Sequence, residues 1–435
     1  MSMYLGVLLL VVNLLAGTKK LQWGLFCYIV LIFVSPTIEF GTMRVSYDLP
    51  GIMVLFLIVL FHSKEIVNKK INVFMLLFCM VLSASTFISI VFYGGSANII
   101  SFLGQVRCVL ALMLLASYCE TDTIKRAIYV IVPANAFIMV CQYISRTSHI
   151  WSYQLWGKET TGALKGLYEL GSMERLLGSF NNVFPAGYFM LFACIVALDN
   201  YCVRHYRRDF SIMILALGCG IMTTGKTFMM GAPLALIMWL TAAHWWRRKE
   251  YYLVKRRNMI MIFSIPLGFL AVLILSSYLK IGGQLRYYAG TILDGTFLQG
   301  RFGEGGVANE ALNVFKQHFL MGVGSTVLEG EFLGDSQYVL ALHDTGIVGA
   351  IITATYLLHQ FVTAYQKKVI TAVVLTALTI FMGIAGITLF DNVGIVLMAF
   401  VELCIYQTNQ RFPTARNRRL LHKNEAMNNK CPIST

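Results

Sequence analysis

The chain has 435 residues, of which 57% are hydrophobic and 13% are charged, and its mean hydropathy is +0.68. The apolar residues form long uninterrupted blocks rather than amphipathic periods, which indicates a polytopic membrane protein. Because lipid leaves free backbone groups unsatisfied, the blocks must form helices or a closed barrel, and they are too long for the alternating strands of a barrel. The composition therefore predicts an all-α fold, a polytopic transmembrane helical bundle.

The net charge of +14 does not indicate nucleic-acid binding, because the basic residues lie in short clusters between apolar blocks. Such clusters are typical of the cytoplasmic loops of membrane proteins. Most of the ten cysteines lie in or beside apolar blocks, so we expect neither a disulfide framework nor a CxxC metal site. No basic stretch precedes the first apolar block, so a cleaved signal peptide is not expected.

The apolar blocks predict about 12–13 membrane spans. They are Met3–Leu15, Leu21–Val34, Leu49–Phe61, Ile71–Tyr93, Ile99–Tyr118, Ile124–Ile144, Phe184–Ala197, Phe210–Thr223, Thr227–Ala243, Met259–Tyr278, Ile347–Ala364, Val369–Thr388 and Ile395–Tyr406. The first of them is short, and a re-entrant segment is the alternative there.

The distribution of Lys and Arg predicts the orientation, because cations near span ends are retained in the cytoplasm. One set of alternate loops holds 24 of the 35 Lys and Arg residues and the other set holds 10, while Arg107 lies within a span. This places the long loops 145–183 and 279–346 outside and the basic tail 411–435 in the cytoplasm. Residues 1–410 are predicted to form a single membrane domain.

The stretch from Gly220 to Thr227 matches the P-loop pattern GxxxxGK[ST]. A P-loop joins a buried strand to a helix where nucleotide is available, whereas this stretch joins two apolar spans on the predicted external side. We therefore interpret it as a tight external turn that presents Lys226.

Two arginines stand out because neither serves cytoplasmic retention. Arg175 precedes Gly178, Asn182 and Pro185 at the entrance to a span, and it is either an anion ligand or a contact to lipid headgroups. Arg107 is costly inside a span unless it faces a polar partner. Its candidate partners are Gln105, Asp391 and Glu402.

The second long loop gathers the largest set of ionisable residues outside the basic clusters. They are Arg286, Arg301, Glu304, Glu310, His318, Asp335, His343 and Asp344. Residues Val307–Leu320 have apolar side chains at i, i+3, i+4 and i+7, which predicts an amphipathic helix. Asp335 heads the following apolar segment and is a candidate base, with helix N-capping as the alternative role.

Together these residues resemble the O-antigen polymerase and ligase superfamily, the Wzy-type polymerases and their ligase relatives. The residues that carry the resemblance are Arg175, Gly178, Asn182 and Pro185; Gly225 and Lys226; Arg301; Gly322 and Gly324; and Asp335, Tyr338, Gly346 and Gly349. Ligase relatives usually have His at the position of Asp335 and Arg at that of Lys226, so the resemblance favours a polymerase, with an O-antigen ligase as the alternative.

The resemblance implies a multi-pass enzyme of the bacterial inner membrane that polymerises undecaprenyl-diphosphate-linked repeat units on the external side, without metal, nucleotide sugar or other cofactor. It implies a chain-length regulator and a flippase of the same pathway as partners. The attacking sugar hydroxyl needs a base, and we expect Asp335 to serve as this catalytic base. We expect Arg175, Arg301, Lys226, Arg286 and Tyr338 to bind the substrate. A lipid-linked oligosaccharide flippase is the rival from another class, because buried charges such as Arg107 also suit a transporter.

Overall fold

The computed structural model describes residues 2–40, 43–66, 68, 72–94, 96–156, 169–170, 173–223, 225–246, 303, 307–327, 336–384 and 386–411. Their helices are α1 Ser2–Lys19, α2 Leu21–Val34, α3 Asp48–Phe61, α4 Val73–Phe92, α5 Ile99–Tyr118, α6 Thr121–Ile144, α7 Arg146–Trp156, α8 Val183–Arg204, α9 Arg207–Met222, α10 Lys226–Trp246, α11 Val307–Gln317, α12 Gln337–Gln366, α13 Ile370–Met382 and α14 Asn392–Arg411. The short strands are β1 Thr37–Phe40, β2 Met43–Ser46, β3 Ser96–Ala97, β4 Glu169–Leu170, β5 Met173–Glu174 and β6 Thr326–Val327.

The predicted helical fold is confirmed. Helices α4, α5, α6, α8, α10 and α12 are long and apolar enough to cross a membrane, and α1, α2, α3, α13 and α14 are shorter apolar helices. The predicted spans Leu21–Val34 and Ile99–Tyr118 match α2 and α5 residue for residue. The predicted span Met259–Tyr278 lies outside the described residues. The chain is a multi-pass helical membrane protein.

The helix ends lie on two faces of the bundle. The basic face carries Lys19, Lys125 and Lys367, and a contact there joins the Gln22 side chain to the carbonyl of Tyr118 at 2.8 Å. The opposite face, the Arg175 face, carries the ends of α2, α4, α6, α9 and α13 together with the starts of α3, α5, α8, α10, α12 and α14. The strand pairs β1–β2, β3–β6 and β4–β5 all belong to connections on the Arg175 face.

Helix α8 lies at the centre of the bundle. Within its most apolar window 83% of the residues are buried, against 33–39% in the other five long apolar helices. It is apolar around its whole circumference because it packs against α6, α9, α10, α13 and α14. The rings of Phe189, Phe192 and Phe400 form part of this core, with 5.7 Å between the centroids of the last two. The packing of these helices around α8 therefore fixes the position of its first residues on the Arg175 face.

Helix α12 differs from the prediction, because it begins at Gln337 rather than at Ile347 and is broken at Gly346. Gly346 has φ 61° and ψ −162°, a region open essentially to glycine alone. The N–H groups of Ile347 and Val348 therefore leave the helix ladder. They donate instead to the carbonyls of Phe319 and Leu320, at N···O distances of 2.9 and 3.4 Å.

The carbonyls released by the same break are also satisfied by this loop. Val323 N–H donates to the carbonyl of His343 at 2.9 Å, and Gly324 N–H donates to that of Asp344 at 2.7 Å. Buried backbone groups without partners are costly, and inside a membrane a helix can break only where other groups satisfy them. The segment 319–324 thus serves as the backbone partner of the broken helix, and we call this pairing the α12 joint.

The amphipathic helix predicted at Val307–Leu320 is confirmed as α11 Val307–Gln317. Its small residues Ala308 and Ala311 are buried against Val339 of α12. Helix α11 and the joint together attach the end of the second long loop to α12.

Candidate functional site

Two amides of α6 hold the backbone of the loop that follows Arg175. Gln142 accepts from Gly178 N–H at 3.0 Å and donates to the Gly178 carbonyl at 3.1 Å. Asn135 accepts from Ser179 N–H at 2.8 Å. Gly178 has φ +64°, and a Cβ there would collide with the Asn135 amide. The loop is therefore a rigid, buried turn, and Arg175 is half-buried at its beginning.

This loop joins segments that are far apart in the sequence. Leu176 N–H donates to the carbonyl of Met222, the last residue of α9, at 3.2 Å. A Cβ on Gly225, next to the start of α10, would lie 2.8 Å from the Val183 side chain at the start of α8. The Arg175 loop, the turn before Lys226 and the start of α8 therefore form one surface of the Arg175 face.

The start of α12 is anchored to the turn between α13 and α14. Ser336 Oγ donates to the carbonyl of Gly383 at 3.0 Å, and Gln337 N–H donates to the carbonyls of Gly383 and Gly386 at 2.9 and 3.0 Å. Phe184 of α8 covers Gly386 so closely that a Cβ would collide with its ring. The start of α12 thus meets the start of α8 through this turn.

Ser336 occupies the N-cap position of α12, and its side chain makes no capping hydrogen bond there. Asp335 directly precedes it and lies outside the described residues. The hydroxyl of Tyr338, in the first turn of α12, donates to the carbonyl of Ile380 at 2.6 Å. Tyr338 is half-buried, and its role in substrate binding stays a prediction.

A polar cleft of about 450 Å³, its open mouth included, lies beside this surface. It is lined by Ile32, Phe33, Ser35, Trp156, Ser179, Phe180, Asn181, Pro185, Asp391, Asn392 and Val393. Asp391 supplies a half-buried carboxylate, and its Oδ2 accepts from Val393 N–H at 3.3 Å at the start of α14. Asn181 and Asp391 can offer a ligand hydrogen bonds, and Trp156 is fixed by a 2.9 Å bond to the carbonyl of Val34.

A second polar network lies at the α12 joint. His343 Nδ1 and Asp344 Oδ1 are 2.7 Å apart, and Asp344 Oδ2 accepts from Gln105 of α5 at 2.6 Å. The ring of His318 lies 4.2 Å from that of Tyr93, centroid to centroid. Burial lowers the pKa of His318, and His343 lowers it further. These residues join α4, α5 and the joint to one another.

Arg107 is paired, as the sequence predicts: the predicted partner Asp391 interacts with its charge, and its direct ion pair is with a further residue. It forms an ion pair with Asp48 at the start of α3 and donates to Asn392 Oδ1 at 2.8 Å. Of the predicted partners, Gln105 bonds to Asp344 and Glu402 lies at the basic face. The ion pair fixes α3, α5 and α14 to one another beneath the polar cleft.

The predicted site residues are described only in part. Arg175 and Tyr338 lie on the Arg175 face, and Lys226 begins α10 there, although the position of its side chain lies outside the description. Asp335, Arg286 and Arg301 lie outside the described residues. Among the residues that the structure describes, no group of three or more His, Cys, Asp or Glu side chains could hold a metal ion.

No protein-family model matches the chain, and no curated protein sequence matches it.

The sequence does not indicate the roles of Asn135 and Gln142, which bond to the backbone of the Arg175 loop, or of Asp48, which pairs with Arg107. The first two lie in an apolar block, and a polar residue at such a position was the available signal. The sequence indicates Asp391 only as a candidate partner for Arg107, whereas in the structure it also lines the polar cleft.

Proposed function

We propose that this protein is a membrane glycosyltransferase that extends a glycan carried on a lipid diphosphate, with its active site on the Arg175 face. The observation that supports the proposal is that the segments containing the residues of the resemblance lie next to one another on this face. The rigid Arg175 loop, the turn before Lys226 and the start of α12 adjoin one another around the start of α8. A polar cleft with a carboxylate lies beside them.

Arg175 is suited to the leaving group of this reaction. When the sugar is transferred, negative charge develops on the phosphate oxygens of the departing lipid diphosphate. A guanidinium can bind two of these oxygens at once and stabilise that charge. The bonds from Gln142 and Asn135 fix the loop beforehand, so little ordering is needed on binding. Lys226 and Arg301 are proposed to contact the same diphosphate, and Arg286 its sugar-phosphate part.

The attacking sugar hydroxyl needs a base within hydrogen-bond reach. Asp335 remains the proposed base, because it directly precedes the anchored residue Ser336. Asp391 is the second candidate, because it is a half-buried carboxylate in the polar cleft. No metal is required in this scheme, since cationic side chains stabilise the diphosphate.

The test of the leaving-group site is the variant Arg175→Lys, assayed by the length of the polymer made from purified lipid-linked repeat units. Lysine keeps the charge but loses the planar fork, so we expect at least a tenfold loss of chain extension at normal protein levels. Arg204→Lys, at the opposite end of α8, is the matched control and should retain the parental activity. Full-length polymer from Arg175→Lys would contradict the proposal for this residue.

The test of the base compares Asp335→Asn with Asp391→Asn in the same assay. Each change keeps the size of the side chain but removes its ability to take a proton. We expect Asp335→Asn to abolish extension and Asp391→Asn to reduce it less. Asp344, nine residues after Asp335, cannot serve as a control carboxylate, because it is buried and forms hydrogen bonds with Gln105 and His343. The reverse ranking would assign the base to Asp391.

A transporter for lipid-linked glycan is the second candidate, and the broken helix α12 favours it. Discontinuous helices with polar groups at the break are common in transporters. Cells lacking the protein discriminate between the two. A lost polymerase leaves single repeat units on the cell surface, whereas a lost transporter leaves none.

The proposed location is the bacterial inner membrane, with the Arg175 face outside and the tail in the cytoplasm. Reporter fusions after Lys249 or Lys368 should then report cytoplasm, and fusions after Lys165 or Gly300 the external side. An external signal after Lys368 would place the Arg175 face on the wrong side for this function.

A further inference from the structure

A second cleft lies at the basic face, on the side of the bundle opposite to the proposed active site. Its volume is about 690 Å³ with its open mouth, and it lies between α4, α12 and α14. It is lined by Asn68, Asn72, Val73, Phe74, His359, Gln360, Thr363, Lys367, Glu402, Ile405 and Tyr406. Val73 and His359 are exposed, so the cleft opens at the perimeter of the bundle, where membrane lipid has access.

The polar floor of the cleft is the carboxylate of Glu402. Its Oε1 accepts three hydrogen bonds, from Asn72 Nδ2 at 2.6 Å, from the Tyr356 hydroxyl at 2.8 Å and from Gln360 Nε2 at 3.3 Å. All three donors are neutral, so they orient the carboxyl group without supplying a counterion. Oε2 has no hydrogen-bond partner among the described residues, and it remains for a ligand in the cleft.

The rim of the cleft has the opposite character. Lys367 follows α12 at the basic face, and its Nζ lies 3.4 Å from the carbonyl of Ile405. His359 lies one helical turn before Gln360, with its ring 5.6 Å from that of Phe74, centroid to centroid. The cleft thus has the Glu402 carboxyl group at its floor, the Lys367 ammonium at its rim and apolar walls from Val73, Phe74 and Ile405.

We propose that this cleft binds a lipid headgroup that carries a primary ammonium and a phosphate, a phosphoethanolamine. The ammonium would donate to Glu402 Oε2, and the phosphate would contact Lys367 at the rim. A primary ammonium fits better than trimethylammonium, because only the former has N–H groups for a carboxylate oxygen. A purely anionic headgroup would bring no ammonium to Glu402 Oε2.

The experiment is a thermal-unfolding series on the purified full-length protein in detergent, with phosphatidylethanolamine, phosphatidylcholine or phosphatidylglycerol of the same acyl chains added. We expect phosphatidylethanolamine to raise the Tm by at least ~3 °C relative to phosphatidylcholine. Glu402→Gln should abolish this difference, and Lys367→Gln should reduce it. Glu310→Gln, which changes an exposed carboxylate of α11 on the other face, should keep it.

Equal stabilisation by phosphatidylethanolamine and phosphatidylcholine would overturn the proposal, as would a preference that both variants retain. If Glu402→Gln does not fold, Lys367→Gln decides, because it changes the rim and leaves the bonds to Glu402 in place. An additional arm contains free phosphoethanolamine. A shift with this compound alone supports the same headgroup chemistry and assigns its source to a soluble molecule. None of these results depends on the glycosyltransferase assay.

Discussion

The buried pair of Arg107 and Asp48 should make a large and measurable contribution to stability. The two side chains are only 10% and 7% exposed, and Asn392 bonds to both of them. Removing one partner takes the direct counterion away from a buried charge, which costs about 3–5 kcal/mol. Replacing both partners removes the charges together, and such replacements are often neutral. We therefore expect Arg107→Met and Asp48→Asn each to destabilise the protein by about 3–5 kcal/mol, and the double variant by much less than the sum of the two.

The free energies can be measured by equilibrium unfolding in mixed micelles, followed through the fluorescence of the six tryptophans. Arg204→Met is the matched control. It changes an exposed cation at the end of α8, and exposed charges contribute about 0–1 kcal/mol. The reasoning fails if each single variant at the buried pair stays within about 1 kcal/mol of the parent, or if the effects of the two changes simply add.

Three further outcomes follow from other parts of the structure. Gly346→Ala should destabilise the protein by more than about 1–3 kcal/mol, because the backbone conformation at this residue excludes side chains and a Cβ would collide with Leu320. Gly104 has open space around it, so Gly104→Ala should not destabilise the protein in the same unfolding assay. Asn13→Leu should stabilise the protein by about 1–3 kcal/mol, because Asn13 is fully buried and neither its Nδ2 nor its Oδ1 has a partner among the described residues. Asn135→Leu should destabilise the protein instead, because it removes the acceptor of the Ser179 N–H group. Finally, since the folded-state pKa of His318 lies below its ordinary value of 6.5, the unfolded chain binds more protons as the pH falls through 6.5, and stability should decrease below that pH. His318→Gln should reduce this acid sensitivity when Tm is compared at pH 7.5 and 5.5.

The sequence predicts the helices well because, inside lipid, a long apolar block can satisfy its backbone groups only as a helix. A block such as Ile99–Tyr118 must be helical, and its ends are set where polar residues begin. The sequence indicates a helix after Asp335 but does not join it to the span predicted from Ile347, because residues 337–346 contain Gln337, His343 and Asp344 and are too polar to be recognised as part of a span. Asp344 is tolerated because Gln105 donates to it, and Gln337 Oε1 accepts from the N–H groups of Thr388 and Leu389. Their partners come from distant segments, and no local pattern indicates such pairing.

The α12 joint also determines which residues of the resemblance carry functional information. Gly322, Gly324 and Gly346 all have positive φ, and a Cβ at any of them would collide with neighbouring backbone. The joint therefore requires glycine at these positions whether or not the protein is an enzyme. Gly178 is likewise required by its contact with Asn135. Arg175 has no positive φ, so the backbone at this position accepts other side chains. The comparison of Arg175→Lys with Arg204→Lys therefore tests the function at a residue whose identity the backbone does not determine.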